Sequence, residues 1–349
     1  MRLRNVIAVA AAGLATAACL TAAGPAVAHS PNGSENGNGN ACSSAVSLAG
    51  FSDVLDKTSY DGTYVGNLSA LARDRDGALV ALSDRSSLFR LDAKTLRPEG
   101  VVALADESGT ALDSEGVVVD RDGSRLVTSE VEPSVRRYSP DGRLLGRLPV
   151  PASLQVAPAG RATANGTFEG LTLLPDGRTL VASMEYAFDG DSAGTVRLQT
   201  WRRHGSHWRL GAQYAYRADD GLGVPEITAT PDGRLLVLER GFTSGVGNTV
   251  RLHLADLRHA TDTSGIDHLT GQRGVRPAKK TPLADIADCP SLGATARQPQ
   301  PNPLLDNIEG MTVTGRDHRT GRLDVLLVSD DNQNAAQTTR FYRLTVRVR

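Results

Sequence analysis

The sequence predicts an all-β protein, a β-propeller of five or six four-stranded blades, on three observations. A short apolar segment with an acidic or polar residue near its start recurs five times. Each copy runs into a tight turn that usually carries Asp-Gly, and each turn is followed by two more strands of alternating polarity. Propellers repeat one four-stranded sheet around a channel, so a unit that returns with this internal order is the expected signature.

The first strand of each unit is seen in Asn67-Leu68-Ser69-Ala70-Leu71, Asp113-Ser114-Glu115-Gly116-Val117, Thr167-Phe168-Glu169-Gly170-Leu171, Val224-Pro225-Glu226-Ile227-Thr228 and Asn307-Ile308-Glu309-Gly310-Met311. Counted from Ser69, the aligned positions are 46, 54, 57 and 83 residues apart, near the length of one blade. The turns follow as Asp76-Gly77, Asp122-Gly123, Asp176-Gly177, Asp232-Gly233 and Arg319-Thr320-Gly321. Glycine there supplies the positive φ that a tight hairpin needs. Second strands end on polar residues: Leu79 to Asp84, Leu126 to Glu130, Leu180 to Glu185, Leu235 to Glu239 and Val325 to Asp330. Third strands run from Ser87 to Leu91, Val135 to Tyr138, Val196 to Trp201, Val250 to Leu254 and Phe341 to Val346. The last unit runs out of chain after its third strand, so Val46 to Leu55 is expected to supply its outer strand and close the ring. The longest gap holds the Pro- and Gly-bearing stretch from His259 to Pro303, either an insertion or a degraded sixth blade. Only Leu254 to His259 reads as a short helix, and nothing alternates strand with helix as a parallel α/β fold would.

Residues 1–28 have the parts of an export signal: basic Met1 to Arg4, an apolar run from Val6 to Leu20, and the small-x-small site Ala26-Val27-Ala28. Lipidation at Cys19 is the weaker alternative, because the leucine such a site presents is missing. Residues 29–41 read as a flexible mature N-terminus and 42–349 as one domain, expected outside the cell, with no membrane span once the signal is removed. Loss of Arg2 and Arg4 takes the net charge from -1 to about -3, which argues against nucleic acid or an anionic membrane as partner. A small molecule acted on by a monomer is the expectation. Cleavage also leaves Cys42 and Cys289, an even pair expected to form a disulfide in an oxidising compartment. Closing so long a loop stabilises by roughly 4 to 5 kcal/mol in the chain-entropy view.

Innermost propeller strands line the central channel, so equivalent residues form a ring. Glu115, Glu169, Glu226 and Glu309 are the expected ring and the expected metal ligands. Converging carboxylates repel one another unless a cation compensates, and all-oxygen surroundings favour Ca2+ over zinc or iron. The acidic residues that end the second strands, Asp84, Glu130, Glu185, Glu239 and Asp330, together with Asn332, are the expected substrate-binding set. Arg85 and Arg240 follow two of them. With Glu169 and Glu309 these arginines form the expected catalytic group, steadying negative charge. The bland alternative stays open: each glutamate could accept backbone N–H groups of a neighbouring blade as a structural latch. Gly190-Asp191-Ser192-Ala193-Gly194 fits the G-x-S-x-G pattern of serine esterases, but it joins two strands and no helix follows, so it reads as a hairpin loop. No HExxH helix, P-loop or Cys-x-x-Cys pair occurs.

Gly66-Asn67-Leu68-Ser69-Ala70-Leu71, Glu115-Gly116, Phe168-Glu169-Gly170-Leu171, Asn307-Ile308-Glu309-Gly310-Met311, Val328 to Asn332 and Gln337 to Phe341 resemble the phytase-like domain family, known for the esterase-like activity of phytase. The likeness runs from about 45 to 345. It implies a propeller that hydrolyses esters or phosphoesters and uses calcium to neutralise a phosphorylated substrate. A site for phytate itself would also need a dense basic cluster, and the chain offers only Arg85 and Arg240, with Arg73 and Arg251 as further candidates. Two other functions fit the same residues: a non-catalytic binding propeller, and a lactonase-like hydrolase with one channel-bound divalent ion in which Asn67, Asn307 and Asn332 join the ligands.

Overall fold

The computed structural model describes residues 39–348; the expected export signal and its cleavage site lie outside the described residues. Five four-stranded antiparallel sheets stand in a ring. Blade 1 is Leu68–Arg73, Leu79–Ser83, Ser87–Leu91 and Pro98–Ala103, and blade 2 is Ser114–Val119, Arg125–Ser129, Ser134–Tyr138 and Leu144–Arg147. Blade 3 is Phe168–Leu173, Thr179–Met184, Thr195–His204 and His207–Arg217, and blade 4 is Gly223–Ala229, Leu235–Thr243, Gly247–Asp256 and Lys279–Asp285. Blade 5 takes Ile308–Arg316, Leu323–Ser329 and Phe341–Val346 from the end of the chain and Val46–Ser52 from its start, paired from Val46↔Val346 to Ser52↔Phe341. The expected closure is therefore present, and it leaves the ring no seam.

One open alternative is settled and one expectation changes. The stretch from His259 to Pro303 builds no sixth blade: Lys279–Asp285 is the outer strand of blade 4, and the loop before it straps over blade 3, where Arg197 donates to the carbonyls of Ile266 and Asp267 at 3.1 and 2.9 Å. Leu254 to His259 is not a helix: its first half, Leu254 to Asp256, is the end of the strand Gly247–Asp256, paired with Lys279–Asp285, and its second half is a turn. Cys42 and Cys289 are disulfide-bonded, tying the segment before the closing strand to the turn after blade 4.

The core lies between neighbouring blades, where alternate strand residues interdigitate; Leu236 and Leu238 face blade 5 while Leu235 and Val237 face blade 3. Near the channel the blades come too close for side chains. A Cβ on Gly116 would stand 2.4 Å from the Glu169 carbonyl, and one on Gly170 2.5 Å from the Ile227 nitrogen. That close approach explains the Glu-Gly pairs of the repeat. Every innermost strand is also bulged where its recurring polar residue sits or beside it, and a bulge re-aims a side chain.

Candidate functional site

At the end of the channel where the second strands finish, a cavity of about 490 Å³ opens. Asp84, Asp113, Glu115, Glu130, Glu169, Glu185, Glu309 and Asp330 line it, with Arg85, Arg240, Ser69, Asn165, Tyr186 and Asn332. Eight carboxyl groups thus face two guanidinium groups. The bulges of blades 2, 3 and 5 deliver Glu115, Glu169 and Glu309 from the innermost strands. Asp84, Glu130, Glu185 and Asp330 come one residue after the second strands, each donating its backbone N–H to the residue before the adjoining innermost strand, as Glu185 N does to Thr167 O at 2.7 Å.

Blade 4 departs from this pattern. The turn bonds Leu174 N→Thr179 O in blade 3 and Thr230 N→Arg234 O in blade 4 align the hairpins. Counting back, Leu171↔Ala182 matches Ile227↔Val237. Glu226 therefore stands in the place of Gly170, Glu239 in that of Met184, and Arg240 in that of Glu185. One residue of slip turns a strand side chain to the other face. Accordingly the structure does not bring Glu226 or Glu239 to the cavity. Glu226 accepts from Leu171 N at 3.2 Å and Ile227 N at 2.9 Å, which is the latch arrangement. Glu239 accepts from the Tyr216 hydroxyl at 2.6 Å and lies 2.5 Å from Lys280 Nζ, at the junction of blades 3 and 4. Asp219 and His253 join it there, but Lys280 Nζ, also 2.6 Å from Asp219, already serves as their cation.

Arg240 is the internal counter-charge of the cavity. Its guanidinium lies 3.3 Å from Glu185 and 3.1 Å from Glu309. Burial opposes its charge, but these carboxylates outweigh that and hold it firmly protonated. Arg85 is largely exposed at the mouth, 3.5 Å from Asp84. Asn67 donates to Asp84 at 3.3 Å, Asn307 to Glu309 at 2.9 Å, and Asn332 N to Asp330 at 2.7 Å. Asp331 faces away from the cavity, accepting from Lys57 Nζ at 2.5 Å, from the Tyr64 hydroxyl and from Asn67 N, and so pins the segment leading into blade 1.

Two guanidinium groups do not neutralise the remaining acids. Burial, then repulsion from Glu185, lifts Glu130 from 4.5 to about 7. Burial lifts Glu185 to about 7 despite Arg240, and Asp84 to about 6 despite Arg85. Glu115, Glu169 and Asp330 are pushed well above the ordinary carboxyl range by burial first and by their acidic neighbours second. Among the described residues, two sets in the cavity bring ligand oxygens within 4.8 Å of one another: Asp113, Glu115 and Glu130, and Glu130, Glu169 and Glu185. Glu130 belongs to both. The donors are all oxygen, and Asn67 Oδ1 nearby is buried without a hydrogen-bond partner. This set fits a hard divalent cation such as calcium.

Of the residues expected from sequence, Glu115, Glu169, Glu309, Asp84, Glu130, Glu185, Asp330, Asn332, Arg85 and Arg240 therefore meet. Asp113, Asn165, Ser69 and Tyr186 join them unexpected as site residues. Two of them carried a signal for this role: Ser69 occupies the aligned position of the repeat glutamates, and Asp113 stands two residues before Glu115. The G-x-S-x-G stretch lies elsewhere, in a hairpin loop of blade 3 where Asp191 is paired to Arg197 at 2.7 Å and accepts from Leu269 N at 2.8 Å.

Residues 63–333 match the phytase-like family, described as the esterase-like activity of phytase. The chain belongs to this family. A curated relative of the phytase-like chain, an uncharacterized secreted protein of Arthroderma benhamiae, is 30% identical over 118 residues, which cover 27% of this chain and 23% of that protein. The chain thus spans about a quarter of that relative. Among solved structures, the gluconolactonase XC5397 of Xanthomonas campestris is 16% identical, with 82% of this chain and 74% of that one covered at a TM-score of 0.41. A virginiamycin B lyase of Staphylococcus aureus is 11% identical, with 79% and 80% covered at a TM-score of 0.37.

Proposed function

We propose that this phytase-like propeller is an exported, monomeric, calcium-dependent hydrolase of small phosphate or carboxylate esters. The observation that carries the reading is the surplus of buried carboxyl groups around Glu130, which two guanidinium groups leave uncompensated. Asp113, Glu115, Glu130, Glu169 and Glu185 would hold calcium. Bound there, calcium would neutralise the acids and polarise the ester. The chain's own residues then divide the proton work. Asp84, at about 6, is mostly ionised at neutral pH and can take a proton from the attacking water, whose oxygen bonds to phosphorus or acyl carbon as the ester bond breaks. Asp330, held protonated by burial and by Glu309, can pass its proton to the departing alcohol oxygen. Arg240 and Arg85 face the negative charge that develops. The disulfide supports action in an oxidising compartment.

The test is to strip the protein with chelator and titrate calcium while following thermal unfolding and hydrolysis of simple phosphate and carboxylate esters. Calcium is expected to raise the unfolding midpoint and restore turnover. Glu130→Gln, which removes a charge from both sets at once, should abolish the calcium-induced rise and cost about 100-fold or more in kcat/KM. A protein indifferent to calcium that turns over neither ester class would sink the proposal in favour of a structural ring.

A further inference from the structure

One aromatic side chain reaches the acidic cavity. Tyr186, the residue after Glu185, lines the cavity yet is 41% exposed. Its hydroxyl end reaches the Glu185 carboxylate, with which it shares a hydrogen bond. Its ring is bracketed by two backbone positions that have no side chain. A Cβ on Gly166 would stand 3.0 Å from Cδ2, on one edge, and a Cβ on Gly223 would stand 2.8 Å from Cε1, on the other. Neither glycine has a positive φ, so space for the ring, not backbone freedom, is what calls for glycine there. A half-exposed tyrosine held this firmly is a platform with little conformational entropy left to lose.

Phe242, two residues past Arg240 near the end of the second strand of blade 4, is a second exposed aromatic side chain on the same strand face as Arg240.

Resting on the hydrolase reading, the geometry points to Tyr186 as the specificity-determining residue of the site, a stacking surface for esters whose alcohol part carries an aryl ring. A single phosphate or carboxylate head would enter the acidic cavity and the ring would lie on Tyr186.

Binding tests this without requiring turnover. Calcium-loaded protein is titrated calorimetrically with benzylphosphonate and with methylphosphonate, neither of which can be hydrolysed as an ester. Wild type is expected to bind the benzyl compound roughly five- to tenfold more tightly. Tyr186→Ala should bring that ratio to about one, while Tyr186→Phe should keep it, with unfolding midpoints confirming that both variants are folded. Equal binding of the two phosphonates by wild type, or a ratio untouched in Tyr186→Ala, overturns the inference. The hydrolase reading fails separately: a benzyl preference in a protein that hydrolyses neither benzyl nor methyl esters leaves Tyr186 as a binding platform and removes only the enzymatic activity.

Discussion

Removing divalent ions should make this protein less stable as pH rises from about 5 to 7.5, the reverse of the usual behaviour of paired carboxylates. Glu130 and Glu185 are each about 5% exposed, and each is lifted from 4.5 to about 7. Below about pH 4.5 both are protonated in the folded and the unfolded chain, so the raised values cost nothing. Between 4.5 and 7 the unfolded chain gives up these protons while the folded chain keeps them, folding becomes coupled to proton uptake, and stability falls; above about 7 the loss from these two is complete, while Glu115, Glu169 and Asp330, pushed well above the ordinary carboxyl range, add to it in the same direction. Each shift corresponds to about 3 kcal/mol. Their mutual repulsion enters both, so a combined loss of about 5 kcal/mol is expected by pH 7.5. For a domain of this size that lowers the unfolding midpoint by about 8 °C. Calcium binds the ionised carboxylates and should therefore flatten the profile, raising the midpoint more at pH 7.5 than at pH 5. Calorimetry in chelator and in millimolar calcium across this range is the assay. A chelated protein whose midpoint holds or rises from pH 5 to 7.5, with the same calcium increment at both ends, would refute the reasoning: the carboxyls would then be ionised without cost and the cavity would need no cation.

Two further outcomes separate scaffold from site. Glu226→Gln keeps an oxygen for the N–H groups of Leu171 and Ile227 and should shift urea-unfolding stability by less than about 1 kcal/mol, whereas Glu226→Ala orphans both and should cost about 2 to 3 kcal/mol, with the calcium response intact in both variants. Cys42→Ser opens the link between residues 247 positions apart, and its urea-unfolding free energy should fall by about 4 to 5 kcal/mol while the ring and its calcium response remain.

Most of the fold was legible because a propeller writes its period into the chain. Asp-Gly turns, alternating strands and an unmatched last unit sufficed to place three strands of each unit and to expect Val46 to Leu55 to close the ring, where the structure has Val46–Ser52. The stretch from His259 to Pro303 was harder to place because its one strand, Lys279–Asp285, lies at the outer edge of blade 4, half-exposed and weakly patterned. Helix propensity in Leu254 to His259 lost to the backbone partners that this edge strand supplies.

The site was legible wherever register was, and failed where register slipped. Glu226, like Glu169, opens an apolar segment a few residues before a Pro-Asp-Gly turn, yet one residue of offset in the bulged hairpin of blade 4 places it at a glycine position and turns it onto the backbone of blade 3. The same offset turns Glu239 to Lys280 and brings Arg240 to the position that is acidic in all four other blades. Had the register matched, a ninth and a tenth carboxyl would face the cavity and no guanidinium would reach its interior. The slip thus does two things at once: it relieves the ring of charge it could not hold, and it installs the cation that keeps Glu185 and Glu309 paired. A repeat gives every blade the same strands, and the chemistry of this channel arises from the blade that breaks the repeat.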